Sequence, residues 1–266
     1  MCVAVCGGVG RQQRIVGGRR ADPHEFPWLV LLSHAGTPYC GGALITSHHV
    51  LTAAHCLYGR KMSDIMVTLG EHDRKRDDDG WVITRGVAHM AIHNNFSLAK
   101  IQNDIGIITM DQPVNISTAE IATACLPTKA IRDYTGVTGV VAGWGRVGEK
   151  SVTAVTLRKV SLPIISQEQC RNMGYPKKRI TDTVFCAGHP KGKKDACQGD
   201  SGGPIQINGT TPGYMEVIGV VSWGRGCGRP SYPGVYTRVD HYMDWIAEKT
   251  AGACLCHRPR MPARFR

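Results

Sequence analysis

An all-β fold is what this sequence predicts, on three observations. Short β-branched and apolar runs recur along its 266 residues. Frequent Gly, Pro and polar turn residues interrupt them, with 32 Gly and 14 Pro in all. The helical pattern identified is confined to a short stretch near the C-terminus. A hydrophobic content of 42% permits a sizeable core, and the length suits one or two domains.

Taken in order, Val50-Leu51 is a strand-like run that leads into Thr52-Ala53-Ala54-His55-Cys56. Asn103-Asp104 heads a second apolar run, Ile105-Gly106-Ile107-Ile108. Val140-Val141-Ala142, Leu157-Arg158-Lys159-Val160 and Val217-Ile218-Gly219-Val220-Val221 continue the series. The stretch Asp240–Lys249 reads as a helix, with Asp240 as its N-cap and Tyr242, Trp245 and Ile246 on one face. No internal repeat is visible, and no run of about 18 apolar residues predicts a transmembrane span.

The formal charge is +11. Arg258, Arg260, Arg264 and Arg266 form a basic tail, while Lys177-Lys178-Arg179 and Lys191, Lys193 and Lys194 form loop clusters. These could bind a polyanion, but a solvated basic face is the simpler expectation. No nucleic-acid-binding signature accompanies the charge.

The chemistry concentrates in Asp195-Ala196-Cys197-Gln198-Gly199-Asp200-Ser201-Gly202-Gly203-Pro204. Glycines beside a serine allow tight turns and close approach of a carbonyl to backbone N–H groups. A serine hydroxyl is a poor nucleophile without a base, so the segment demands a histidine and a carboxylate to orient it. Of 11 histidines, His55 has the most suitable surroundings, with small residues before it and a cysteine after it. Alone, it would read as a packed structural histidine. Asp104, isolated at the head of an apolar run, would by itself read as a turn former. The order His55, Asp104, Ser201 favours a catalytic reading of all three.

With Ile15-Val16-Gly17-Gly18 and Ser222-Trp223-Gly224 added, these motifs resemble the trypsin-like serine proteases of the chymotrypsin family, from about residue 15 to 250. The resemblance implies two antiparallel six-stranded β-barrels, at about 28–128 and 129–238, with the active site between them and a terminal helix at about 240–249. Residues 1–14 would be a propeptide or light-chain remnant, and 251–266 a tail without fixed structure. Ser201 would attack the carbonyl, His55 would shuttle its proton, and Asp104 would hold His55. Backbone N–H groups of Gly199 and Ser201 would form the oxyanion hole. Asp195 would floor the specificity pocket, walled by Ser222, Trp223, Gly224 and Gly234, and select Arg or Lys. Its competing reading is a solvated loop acid after Lys193-Lys194. Cleavage after Arg14 would free the amine of Ile15 to pair with Asp200, so the uncut chain would be a zymogen.

The same resemblance implies disulfides Cys40–Cys56, Cys170–Cys186 and Cys197–Cys227, and a Cys6–Cys125 bond that would keep the propeptide tethered. Of 11 cysteines this leaves Cys2, Cys254 and Cys256 without an assigned partner. Zinc at Cys254-Leu255-Cys256-His257 is a weak competitor, because no second ligand pair lies at suitable spacing. Glu71 and Asp73, followed by Asp77-Asp78-Asp79, occupy the region of the family's calcium loop. However, Arg74-Lys75-Arg76 intervenes, and Trp81 stands near an expected second glutamate. No cofactor is otherwise expected. Sequons begin at Asn95, Asn115 and Asn208.

Cysteine usage suggests a secreted protein, while the N-terminus is too short for a signal peptide, so a leader is expected to be missing from this sequence. Expected partners are protein substrates with Arg or Lys at the cleaved bond, an activating protease and protein inhibitors. The alternative function is a non-catalytic protease-like binding or regulatory module.

Overall fold

The computed structural model describes residues 6–8, 18–76, 81–116, 118, 120–209 and 213–255. The two-residue strand β1 (Arg19–Arg20) pairs with Lys159 and Arg158, far along the chain. The N-terminal half then builds one antiparallel sheet from β2 (Leu29–His34), β3 (Thr37–Leu44), β4 (His49–Thr52), β5 (Ile65–Leu69), β6 (Ile83–Arg85), β7 (Val87–Ile92) and β8 (Gly106–Met110). Their order is β6-β5-β2-β3-β4-β8-β7. The C-terminal half contains β9 (Thr138–Gly143), β10 (Arg158–Ile165), β11 (Val184–Ala187), β12 (Pro204–Asn208), β13 (Met215–Trp223) and β14 (Gly234–Arg238). These run β10-β11-β14-β13-β12-β9, and β9 pairs back to β10, closing a six-stranded barrel.

Two antiparallel six-stranded barrels were the expectation, and the two sheets bear it out, with backbone ladders closing the second. The first is a half-barrel sheet. Its edge strands β6 and β7 are consecutive in the chain, with Gly86 between them. The bend there sends one segment to β5 and the other to β8, so the covalent chain, with no ladder, bridges the two edges.

Apolar residues account for the packing. The Asp104 run is buried throughout β8 except at Thr109, and eight of nine residues of β13 are buried. One core spans both halves, with Trp28, Leu32, Leu44, Val217 and Ile246 all inaccessible. Full burial of each such Leu or Ile contributes about 1.5–3 kcal/mol. Trp28 Nε1 donates to Gln206 Oε1 at 3.3 Å, joining the two sheets. A second cluster fills the closed barrel around Phe185 stacked on Tyr236.

Three short helices complete the fold. α1 (Ala54–Leu57) carries His55. α2 (Gln167–Arg171) starts at a reciprocal capping box between Ser166 and Gln169. A 3-10 turn, Val239–Tyr242, leads into α3 (Met243–Lys249). Asp240 does not cap the terminal helix. It is buried inside that turn, where it accepts from the Arg238 guanidinium and Arg132 N. Tyr242 and Ile246 pack into the core, with Trp245 partly buried against it. No described helix is long and apolar enough to cross a membrane.

Four disulfides join described residues: Cys6–Cys125, Cys40–Cys56, Cys170–Cys186 and Cys197–Cys227. Cys254 is disulfide-bonded as well. Cys2 and Cys256 lie outside the described residues, as do Arg14, Ile15, Asp77-Asp78-Asp79 and the tail from 256.

Candidate active site

β4 delivers the His55 turn. Thr52, Ala53 and Ala54 are buried, and the Cys40–Cys56 disulfide pins the turn to β3. Asp104 precedes β8, which pairs with β4, so strand register brings carboxylate and imidazole together. Asp104 Oδ2 accepts from His55 Nδ1 at 2.7 Å, and Oδ1 accepts from His55 N at 2.9 Å. The Asp104 side chain is 1% exposed and that of His55 24%. Ser222 Oγ donates to Asp104 Oδ2, and Thr237 Oγ1 donates to the Asp104 carbonyl at 2.8 Å. The carboxylate thus holds the ring through Nδ1 and leaves Nε2 for other chemistry.

Ser201 sits against this turn. Gly41 N donates to the Ser201 carbonyl at 2.7 Å. Gly202 has φ +77°, and a Cβ there would lie 2.3 Å from Thr52 Oγ1 and 3.1 Å from Cys56 Sγ. Only glycine tolerates both that backbone region and that approach. Among the described residues, the Ser201 hydroxyl makes no hydrogen bond to His55 Nε2. Backbone N–H groups of Gly199 and Ser201 likewise have no protein acceptor among them.

Behind Ser201 opens a cavity of about 220 Å³. Asp195 and Tyr236 line it, with Ser222, Trp223, Gly224 and Gly234 around them. Asp195 Oδ2 accepts from Gly228 N at 3.0 Å, whereas Oδ1 is buried with no hydrogen-bond partner among the described residues. Burial pushes the Asp195 carboxyl up to about 7, against the lowering effect of the Gly228 and Ala196 N–H groups. A Cβ on Gly234 would stand 2.8 Å from Asp195 Oδ1 and fill the space beside it. Ser222 borders the cavity, but its hydroxyl is turned to Asp104.

Sequence reasoning missed Gly226, Gly228 and Tyr236. The Tyr236 hydroxyl is buried with no hydrogen-bond partner among the described residues, and burial pushes it well above its ordinary range. Strand alternation offered a signal for it, since Gly234 and Tyr236 are two apart on β14 and share a face. Gly228 offered none, because its role is a backbone N–H.

Asp200 points into a neighbouring cavity of about 330 Å³, bordered by Gly18, Gly143 and Lys159. Its Oδ1 accepts from Gly145 N at 2.8 Å and its Oδ2 from Cys197 N at 2.9 Å. Burial raises its carboxyl to about 6. Among the described residues it has no cationic partner. The nearby buried amine, Lys159, is engaged by Glu25.

The remaining expected sites lie elsewhere. Asp73 accepts from Lys75 N and Thr156 Oγ1, at 3.2 and 3.1 Å, and its carboxyl is held below the ordinary range by these bonds, that from Lys75 N most of all. Glu71 is partly exposed nearby in the chain. Asn95, Asn115 and Asn208 are exposed. The group of metal-ligand types found among the described residues is Cys40, His55 and Cys56, and its two sulfurs are consumed by their mutual disulfide.

Residues 15–246 match the Trypsin family. The chain belongs to the trypsin-like serine protease family. It is 40% identical over 248 residues to the proclotting enzyme of Tachypleus tridentatus, covering 88% of this chain and 66% of that protein. It is 36% identical over 260 residues to the clotting factor G beta subunit of Tachypleus tridentatus, covering 91% and 81%. To the venom protease of Bombus pensylvanicus it is 40% identical over 242 residues, covering 86% and 96%. The chain thus spans just under two thirds of the proclotting enzyme and nearly all of the venom protease. The closed barrel, the curved half-barrel sheet and the terminal helix are those of the trypsin-like fold.

Proposed function

We propose that this family member is an endopeptidase that cuts after Arg or Lys. The observation that carries the reading is the buried, unpartnered Oδ1 of Asp195 in a cavity beside Ser201. A carboxylate oxygen left bare inside a cavity favours a cationic side chain there, and disfavours an apolar one that would leave the charge buried and alone. Ser201 acts as nucleophile, His55 as general base and then acid, and Asp104 orients His55. The N–H groups of Gly199 and Ser201 receive the oxyanion; losing one such donor typically costs about 2.7–4 kcal/mol of barrier. The structure holds the imidazole in place while Ser201 still lacks its bond to it, a contact that often tightens only with substrate.

Activation follows from the second cavity. Cutting after Arg14 frees the Ile15 ammonium, and Asp200 is a partly buried carboxylate with no cationic partner among the described residues. Their pairing orders the loop from Cys197 to Ser201. The Cys6–Cys125 bond keeps the cut segment attached, as suits a protease controlled by partners. With clotting enzymes among its relatives, a secreted cascade protease is the reading we favour over a digestive one. Its partners are then an activating protease, protein substrates and protein inhibitors. Calcium at Glu71 and Asp73 and a polyanion on the basic face are accessory to this reading, and neither enters the chemistry.

The unmade bond between Ser201 and His55 also fits a second reading, a non-catalytic binding member of the family. One experiment separates them. The chain is treated with trypsin, freed of it, and assayed on Arg-, Phe- and Ala-amide substrates. Hydrolysis of the Arg substrate alone supports the proposal. Preference for Phe refutes the Asp195 assignment. No hydrolysis, with Ser201 unlabelled by an organophosphate, favours the binding module.

A further inference from the structure

We infer that Arg179 and Arg225, at the rim of the Asp195 cavity, select an acidic side chain in the peptide two to four residues from the cleaved bond. This rests on the cavity taking Arg or Lys.

A row of aromatic rings leads away from the cavity. Trp223 lines the cavity wall. Tyr175 meets Trp223 edge-on at 4.8 Å between centroids, and Tyr232 meets Tyr175 at 5.4 Å. Tyr175 is fixed in place, donating to the Pro233 carbonyl at 2.8 Å and accepting from Arg225 N at 3.2 Å.

A guanidinium caps each end of the row. Arg179 Cζ lies 5.4 Å from the Trp223 centroid, and Arg225 Cζ lies 5.0 Å from that of Tyr232. Each makes one hydrogen bond to a neutral acceptor: Arg179 to the Ala99 carbonyl at 3.3 Å, Arg225 to Tyr232 Oη at 3.0 Å. Neither forms an ion pair among the described residues. By contrast Arg132, Arg171, Arg229 and Arg238 are each held by a carboxylate. Two acids elsewhere in the same half are already engaged, Asp182 by Arg171 and Glu149 by Arg229.

A guanidinium offers five donors in a planar fork. Here aromatic faces and neutral oxygens hold two such forks, with most of their donors unused. That pre-organisation lowers the ordering cost of meeting a carboxylate. The ring-to-ring steps of 4.8 and 5.4 Å set the reach. An extended peptide advances about 3.3–3.6 Å per residue, which puts the acid two to four residues from the side chain in the cavity. A merely solvated basic face would favour an acid at no particular position.

The test uses the full chain after trypsin treatment and removal of the trypsin. Peptides carry one Arg at the cleaved bond, and Asp replaces Ala singly at each of four positions on either side. Asp two to four residues from that Arg, on one side of the bond, should raise kcat/KM roughly two- to five-fold over Ala. The gain should vanish near 1 M salt, where the screening length is about 3 Å. Arg179→Gln and Arg225→Gln should each reduce the Asp-to-Ala ratio, and Arg179→Lys should restore part of it. The ratio cancels any change in the folded fraction. Cleavage of the Arg peptides with a ratio near one at every position, or a ratio unmoved in the double Gln variant, overturns this inference alone. No cleavage of any Arg peptide overturns the cavity reading as well.

Discussion

Ser222, on β13 of the closed barrel, donates to Asp104, at the head of β8 in the half-barrel sheet, at 2.5 Å. The two residues are 118 apart in sequence. This bond, with Thr237 Oγ1 on the Asp104 carbonyl, ties the carboxylate that holds His55 to the barrel that carries Ser201. The relative placement of the two halves therefore sets the orientation of the imidazole.

Replacing Ser222 tests that coupling. A hydrogen bond to a charged group contributes about 1.5–3 kcal/mol. Ser222→Ala should lower unfolding free energy in urea by an amount of that order. It should reduce kcat more than it changes KM for an Arg-amide, because the cavity keeps its shape while the base loses a constraint. An equal rise in KM would show that Ser222 serves the cavity instead.

Asp195 predicts both specificity and pH dependence. Asp195→Asn should cost about a hundredfold or more in kcat/KM on Arg substrates, the scale for unpairing a buried charge. Burial pushes its carboxyl up to about 7. The proton is bound below that pH, so the attraction for a cation weakens as pH falls. KM for an Arg-amide should rise between pH 8 and pH 6 in the parent. That rise should be absent in Asp195→Asn, as stopped assays across the range would show.

Gly234→Ala tests the geometry of the same cavity. The new methyl would fall 2.8 Å from Asp195 Oδ1 and 3.1 Å from Tyr236 Oη. KM for Arg-amide should increase by about tenfold or more, since overpacking of a closed site costs about 1–3 kcal/mol. Unchanged KM would mean that the substrate side chain does not reach Asp195.

Asp200 links stability to the cut. In the uncut chain its carboxyl is raised to about 6 and that of Asp195 to about 7. A raised acid contributes stability that is complete below its unfolded value near 4 and is lost as pH rises through its folded value. The uncut protein should therefore lose stability from pH 5 to pH 8. If cleavage at Arg14 lets the Ile15 ammonium pair with Asp200, as proposed, the pairing should remove part of that loss. The difference in Tm between cut and uncut protein should be largest from about pH 6 to 8, between the titrations of the carboxyl and an α-amine. A difference independent of pH would rule out this pairing.

Much of the site was legible because its chemistry depends on residue types in short motifs. Gly199-Asp200-Ser201-Gly202-Gly203 marks a candidate nucleophile on a turn that glycine permits, and the cysteine pairs follow from the resemblance. That covalent chain at Gly86, and no ladder, joins the edges of the N-terminal sheet was not legible, since a bend leaves no mark in the local pattern of alternation. Asp240 misled because a short acid ahead of a helical stretch looks like a cap. Burial beside Arg238 and Arg132 gave it a different set of donors.

By itself the sequence determined the all-β class, the glycine-rich segment around Ser201, the candidacy of His55 and Asp104 beside it, and an acid six residues before Ser201. Only the tertiary structure decided that, among the described residues, Asp195 keeps one oxygen bare and Arg179 and Arg225 stand without acidic partners, and that Ser222 turns its hydroxyl from the cavity to Asp104. The reason is physical. Residue type sets what a side chain can donate, accept or charge, but whether it is satisfied depends on groups brought from distant strands. Asp195 meets Gly228 across 33 residues and Ser222 meets Asp104 across 118, separations over which no local periodicity carries information.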